Sequence, residues 1–265
     1  MFTSTVGAVG RAAIEMAGGL GSLVLTGWGA LMRLTRSLLP GERFRAQAAT
    51  EQAYRTGVTA LPIVALIAFM MGSILALQSA YQLERLGAVK YVASLVAVAL
   101  TRELGPVITA IVVAGRSGSA IAAEIASMKI QEEIDALEVM GLNPTAFLVA
   151  PKLLAMMIAL PLLTVLADLV GIIGGLACGV YVLGIPAGQY MDLTFESILQ
   201  RDFLSGILKA FVFGVIIVTV GAWCGFRVRG GPEGVGQATT RSVVLGIFLV
   251  IAADLVATAI FYRLG

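Results

Sequence analysis

The sequence contains no histidine, which excludes imidazole metal ligation, histidine proton relays and nucleophiles activated by a histidine base. It holds two cysteines, Cys178 and Cys224, each inside an apolar run where a thiol reads as a small buried hydrophobe, not half of a disulfide. Charge is scarce: 13% of the 265 residues are charged against 58% hydrophobic, and mean hydropathy is +0.95. A soluble globule needs more polar surface, so the composition specifies a polytopic membrane protein. A net charge of +2 gives no reason to expect a nucleic-acid partner. The chain has no G-x-x-x-x-G-K-[ST] stretch, and the glycine-rich Gly230 to Gly236 does not replace one, so it does not bind ATP through a P-loop of its own. Gly115-Arg116-Ser117-Gly118 resembles the G-x-S-G of intramembrane serine proteases, but without a base it reads as a packing turn. Neither catalytic residues, a metal site nor a cofactor is expected. Nor does the N-terminus show the basic head, short apolar core and small-residue cleavage site of a signal peptide.

What the chain does contain is a series of long uncharged runs. Thr56 to Leu83 is long enough for span one, with Gln78 toward its outer end. Tyr91 to Thr101 and Leu104 to Gly115 are each too short to cross, but joined through Arg102 and Glu103 they form span two, with an ion pair near mid-depth. Leu153 to Leu183 is span three, interrupted by Asp168 and carrying Gly171, Gly175 and Gly179 on one stripe that admits another helix closely. Gly184 to Asp202 is an outer loop, and Phe203 to Phe226 is span four with Lys209 near its outer end. Arg227 to Arg241 is a cytoplasmic loop, and Ser242 to Tyr262, containing Asp254, is span five.

Residues 1–55 carry six arginines, Arg11, Arg33, Arg36, Arg43, Arg45 and Arg55, around an apolar patch from Met16 to Met32 that contains five glycines. This predicts a helix lying in the membrane interface, with a short span as the alternative. The expected fold is thus an all-α integral membrane protein: an N-terminal cytoplasmic or interfacial helix (1–55) and a five-span domain (56–265). Twelve lysines and arginines fall on the assigned inner side against five outside, which puts the N-terminus in the cytoplasm and the C-terminus outside.

Arg102 and Glu103 are the most informative residues, because intramembrane charge is expensive and faces either a partner or a wet cavity. Two roles are open to them: a site, or an interhelical salt bridge with Asp254 as a candidate partner. Pro106 offers no N–H to the carbonyl of Arg102, so a kink and a freed polar backbone group are expected there. Ser127 to Gly141 reads as a cytoplasmic amphipathic helix. Ile130, Ile134 and Leu137 form its apolar stripe, and Glu132, Glu133, Asp135 and Glu138 make its surface acidic. Its position between two spans favours docking to another protein, with Ile134 and Leu137 as apolar anchors.

The block TRELGPVITAIVVAGRSGSAIAAEIASMKIQEEIDALEVMGLNP, followed by PKLLAMMIALPLLTVLADLVGIIGG and by ATTRSVV with Asp254 downstream, resembles the MlaE (YrbE) family, permease subunits of ABC transporters that work with MCE-domain proteins. The likeness runs from about Gln47 to the C-terminus. It implies a homodimer in the bacterial inner membrane, two cytoplasmic ABC ATPase subunits, an MCE-domain protein on the periplasmic side, in many members a STAS-domain protein, and phospholipid as cargo. By position, Arg102 and Glu103 match the charged pair lining the family's lipid cavity, with Gln78 nearby, and Ser127 to Gly141, with Glu132, Glu133, Ile134 and Leu137, matches the helix that couples to the ATPase. The competing class is an ion- or proton-coupled secondary transporter using Glu103, Asp168 and Asp254.

The charge asymmetry makes a direct prediction about topology. In a background lacking Cys178 and Cys224, a cysteine at Lys90 should react with an impermeant reagent in intact cells and one at Gly234 only after permeabilisation. Labelling at Gly234 from outside would reverse the assignment.

Overall fold

The computed structural model describes residues 18, 19, 21–33 and 46–264; Arg11, Arg36, Arg43 and Arg45 lie outside the described residues. Every regular element among the described residues is helical. In chain order they are α1 (21–33), α2 (Ala46–Gly57), α3 (Leu61–Glu84), α4 (Val89–Ile130), α5 (Glu133–Val139), α6 (Thr145–Tyr181), α7 (Ala187–Ser197), α8 (Gln200–Phe226) and α9 (Gly231–Leu264).

Five helical stretches are long and apolar enough to cross a membrane, and they fall where the uncharged runs predicted spans: 49–84, 89–130, 145–181, 200–226 and 231–263. Several are longer than a bilayer requires. The 42 residues of α4 extend ~63 Å at 1.5 Å each, about twice the hydrocarbon thickness, so this helix projects well beyond the membrane. The boundary drawn at residue 55 falls inside a helical run: Val58 and Val64 donate to the carbonyls of Tyr54 and Ala60, carrying α2 nearly without a break into α3. The described part of the apolar N-terminal patch forms α1. Its 13 described residues measure ~20 Å and pack on the C-terminal end of α8. There the Ser22 hydroxyl accepts from Trp223 Nε1 (2.9 Å) and Arg227 Nη1 (2.8 Å), and Gly27 lies against Thr219.

Small residues bring the helices together. α3 and α6 run parallel in contact at Gly72, Gly171 and Gly174: a Cβ on Gly72 would overlap the carbonyl of Gly171, and one on Gly174 the carbonyl of Phe69. The Ser73 hydroxyl fills the same crossing, 3.0 Å from the Gly174 carbonyl oxygen. The predicted glycine stripe therefore divides its work. Gly171 receives a helix, whereas Gly175 and Gly179 make room for the ring of Tyr190, fully buried on α7. The segment 184–202, expected as a loop, thus contains an amphipathic helix fastened by one aromatic. On the other side α8 lies along α4, with Gly206 against Thr101, Gly221 against Gly118 and Gly225 against Ile125.

The predicted helix over 127–141 is two pieces. α4 ends at Ile130, Glu132 adopts a left-handed conformation (φ 60°), and α5 begins at Glu133. Ile134 and Leu137 do face one way, as their spacing required, but that way is inward: both are buried in this chain's main apolar core with Leu148 and Val149. Side chains packed into their own core offer a partner little surface, so Ile134 and Leu137 hold α5 to this chain. The exposed apolar surface follows them, at Val139 and Met140, beside the exposed Glu132, Glu133, Asp135 and Glu138.

Gly174→Ala should cost ~1–3 kcal/mol by overpacking the α3–α6 crossing, read as a lower thermal midpoint of the detergent-solubilised protein. Gly188→Ala on α7, where an added Cβ meets nothing within 4 Å, should lose nothing.

Candidate functional site

Proline at 106 removes one helical N–H, and the chain answers with a π turn. Residues Leu100–Leu104 form i→i+5 bonds, closing with Gly105 N–H on the Leu100 carbonyl. Such a turn widens the helix and shifts the direction of the side chains it carries, here Arg102 and Glu103. The freed carbonyl of Arg102 is not left bare: Lys209 Nζ on α8 donates to it at 3.3 Å. The polar backbone group expected from the sequence thus becomes one wall of a site.

Lys209 is the centre of that site, its side chain 1% exposed. An ammonium has three N–H donors, and all three are used: on Glu103 Oε2, on Thr258 Oγ1 of α9 (2.8 Å) and on the Arg102 carbonyl. The Thr258 hydroxyl also contacts both oxygens of Glu103 at 3.2 Å. Asp254, one turn earlier on α9, has its Oδ1 2.9 Å from Lys209 Nζ but off the hydrogen-bonding direction, so it contributes charge without a bond. One lysine on α8 thereby joins α4, α8 and α9.

Arg102 is held differently. Its guanidinium lies 3.7 Å from Asp202 Oδ1 and 3.9 Å from Glu103 Oε1, distances that give electrostatic contact but no hydrogen bond. Its side chain is 35% exposed and that of Glu103 31%, in contrast to the sealed Lys209. The cluster therefore has a saturated floor and an unsaturated planar fork at its mouth. Three carboxylates (Glu103, Asp202, Asp254) stand against two cations (Arg102, Lys209), an excess of one acid if all are ionised.

The sequence picked out Arg102, Glu103 and Asp254, and the structure gathers them. It did not anticipate Lys209 or Asp202, assigned to the outer end of span four and to a loop, nor Thr258. The signal for Lys209 was present, since it is the one charge within Phe203 to Phe226. Gln78 is exposed on α3, opposite the buried Ala76 and Ala80, and no hydrogen bond ties it to the cluster. Asp168 stands apart as well: it is buried with its carboxyl against Gly105, where a Cβ would overlap Oδ1, and that oxygen meets no hydrogen-bond partner among the described residues. Among the described residues no group of acids or thiols is arranged to hold a metal ion.

The described helices make a polytopic bundle with a charged cluster inside it, partly open to one side, the architecture of an integral membrane protein. The family model described as Permease MlaE matches residues 49–260, and this chain belongs to that family. It is 36% identical over 263 residues to a probable ABC transporter permease protein of Rickettsia felis, covering 99% of this chain and all of that one. It is 34% identical over 266 residues to the intermembrane phospholipid transport system permease protein MlaE of Haemophilus influenzae, covering both chains completely. It is also 36% identical over 213 residues to the chloroplastic protein TRIGALACTOSYLDIACYLGLYCEROL 1 of Arabidopsis thaliana, covering 80% of this chain and 61% of that one. The chain is thus a multi-pass membrane permease.

Lys209→Met keeps the length and removes the charge, leaving Asp254 without a cation and Glu103 with only the distant contact to Arg102. The expected loss is ~3–5 kcal/mol, seen as poor yield and a collapsed size-exclusion profile. Arg102→Ala, which breaks no hydrogen bond between side chains, should purify normally.

Proposed function

We propose that this chain is the membrane-spanning subunit of an ABC transporter that moves phospholipid, with the headgroup received at Arg102. The observation that carries the reading is the unsaturated guanidinium at the mouth of a cluster whose other cation is fully engaged. A phosphate diester fits a planar fork with paired N–H donors. The excess of one acid favours a zwitterionic headgroup, whose amine offsets it, over a bare anion. The names of the Haemophilus and Rickettsia relatives support cargo and transporter class, and Glu103 serves to hold Lys209 and Arg102 in place. Gln78, exposed on α3, contacts lipid and not the headgroup cluster.

Transport requires energy, and without a P-loop in this chain it comes from a separate cytoplasmic ATPase. We assign the docking surface to α5 and its C-terminal flank, with Val139 and Met140 as apolar contacts and Glu132, Glu133, Asp135 and Glu138 setting the pairing. A second copy of the chain completes the membrane unit, an MCE-domain protein meets it on the periplasmic face, and a STAS-domain protein joins on the cytoplasmic side. The orientation is N-terminus inside, C-terminus outside, in the bacterial inner membrane. The ion-coupled alternative needs free acids, whereas Glu103 and Asp254 both face Lys209 and Asp168 is separated from them.

Two substitutions separate the functions. In the purified complex Arg102→Ala should reduce co-purified phospholipid and lipid transfer several-fold while ATPase co-purification persists. Met140→Asp should release the ATPase or uncouple its hydrolysis while bound lipid is unchanged, since burying such an apolar contact is worth ~1–3 kcal/mol. A Met140→Asp complex that stays intact and transports normally would show that α5 is only a solvated surface. Unchanged lipid content in Arg102→Ala would remove the headgroup assignment.

A further inference from the structure

At the opposite end of α8 lies a second concentration of charge, of one sign. Lys129, at the end of α4, with Arg227, Arg229 and Arg241 surrounds a cavity of 560 Å³ whose remaining walls are Phe226 and Val228. No acid lines it. Lys129 is paired with Asp135 at 2.5 Å, but Arg227, Arg229 and Arg241 have no acidic partner among the described residues. Two of these arginines are fixed in place. Arg227 and Arg241 lie over the ring of Trp223, 4.9 and 5.0 Å from its centroid, and Arg227 also donates to Ser22 on α1 at 2.8 Å. Holding two like charges near one indole is favourable only when something negative is nearby or water is plentiful.

The cavity does not stand alone. Arg241 also lines a groove of 710 Å³ that runs along α9 past Gly236, Thr240, Val244, Leu245 and Phe248, and beyond Arg241 its walls are apolar. Depth fixes what can occupy both. The uncharged stretch of α9 begins at Ser242 and that of α8 ends at Phe226, so Arg227 and Arg241 sit at the edge of the hydrocarbon, level with an interfacial tryptophan. A molecule spanning the two spaces is anionic at one end and apolar at the other, with the join at Arg241. We infer that this is a second lipid site, in which the phosphodiester headgroup of an anionic phospholipid occupies the basic cavity and an acyl chain lies along α9. Basic pockets between membrane helices recognise such headgroups, and both volumes fall in the range of small-molecule sites. The absence of a lining acid sets this site apart from the Arg102 cluster: it selects a net negative headgroup, where the other suits a zwitterion.

The test uses the full-length protein in mild detergent, titrated separately with phosphatidylglycerol and phosphatidylcholine and read by native mass spectrometry. Wild type should retain phosphatidylglycerol preferentially. The double variant Arg229→Gln/Arg241→Gln should lose about tenfold or more in affinity for it, with phosphatidylcholine unchanged. Arg229 has no acidic partner among the described residues, so Arg229→Gln alone should fold normally and show a partial loss. Val244→Ser should weaken lipid retention through the groove without altering the charge. Arg102→Ala should keep the preference for the anionic lipid, which distinguishes this site from the outer cluster. The inference falls if Arg102→Ala retains phosphatidylcholine as well as phosphatidylglycerol, if millimolar inorganic phosphate displaces the lipid, or if the double variant keeps its phosphatidylglycerol. It falls equally if that variant loses a co-purified ATPase instead of lipid, which would make the surface a protein-docking face.

Discussion

The structure depends on one buried ammonium. Lys209 is surrounded by protein on a helix that touches most of its neighbours, and a lone cation there would be prohibitively costly. Its cost is met by two carboxylates, a hydroxyl and a backbone carbonyl drawn from α4 and α9. The two suppliers on α4 depend on a local irregularity: the carbonyl is free because Pro106 cannot donate to it, and Glu103 points toward α8 from within a π turn. Proline, π turn and lysine are therefore one device. Remove the lysine and the proline leaves an orphan carbonyl; remove the proline and the lysine has one acceptor fewer.

The same arrangement explains how intramembrane charge is divided between structure and use. With Glu103 engaged by Lys209, the adjacent Arg102 gains little from its sequence neighbour and is left with long contacts to two acids. In the low dielectric of a bundle interior those contacts still hold the guanidinium in position, but its N–H groups remain available. A fixed cation with unspent donors suits the capture of an oxyanion, because it needs little reorganisation when the ligand arrives.

Much of this was legible in the sequence, for identifiable reasons. Uncharged runs located all five spans because length and hydropathy are properties of single segments. Arg102, Glu103 and Asp254 stood out because charges in such runs are rare. Lys209 was visible as the one charge of its span, but only its packing against Thr258 and Glu103 shows that it is the centre of the cluster. Asp202 and α7 were taken for loop because the length of an outer connection says nothing of what folds within it. Tyr190 needed the cavity opposite Gly175 and Gly179 to show why that segment is helical. The inward turn of Ile134 and Leu137 is the clearest limit: periodicity identifies an apolar face, but not whether it meets its own core or a partner's.

That inward turn changes how force would pass between the two ends of the molecule. A surface helix held only by its partner would adapt to motion of that partner. α5 instead plants Ile134 and Leu137 in the core formed with Leu148, Val149 and Leu153, at the start of the long α6. Displacement of its exposed flank therefore displaces packed side chains, and close-packed interiors transmit strain instead of absorbing it. α4 and α6 carry that strain toward the other end of the bundle, where α6 places Asp168 on Gly105 directly beside the π turn of Arg102 and Glu103. A π turn is a less regular stretch of helix, and with others at Ala114–Gly118 on α4 and Thr145–Val149 on α6 the path has three points where a small axial or rotational shift readily redirects side chains. α5 and the charged cluster are thus joined by two helices whose π turns, at Leu100–Leu104, Ala114–Gly118 and Thr145–Val149, are the segments able to change register.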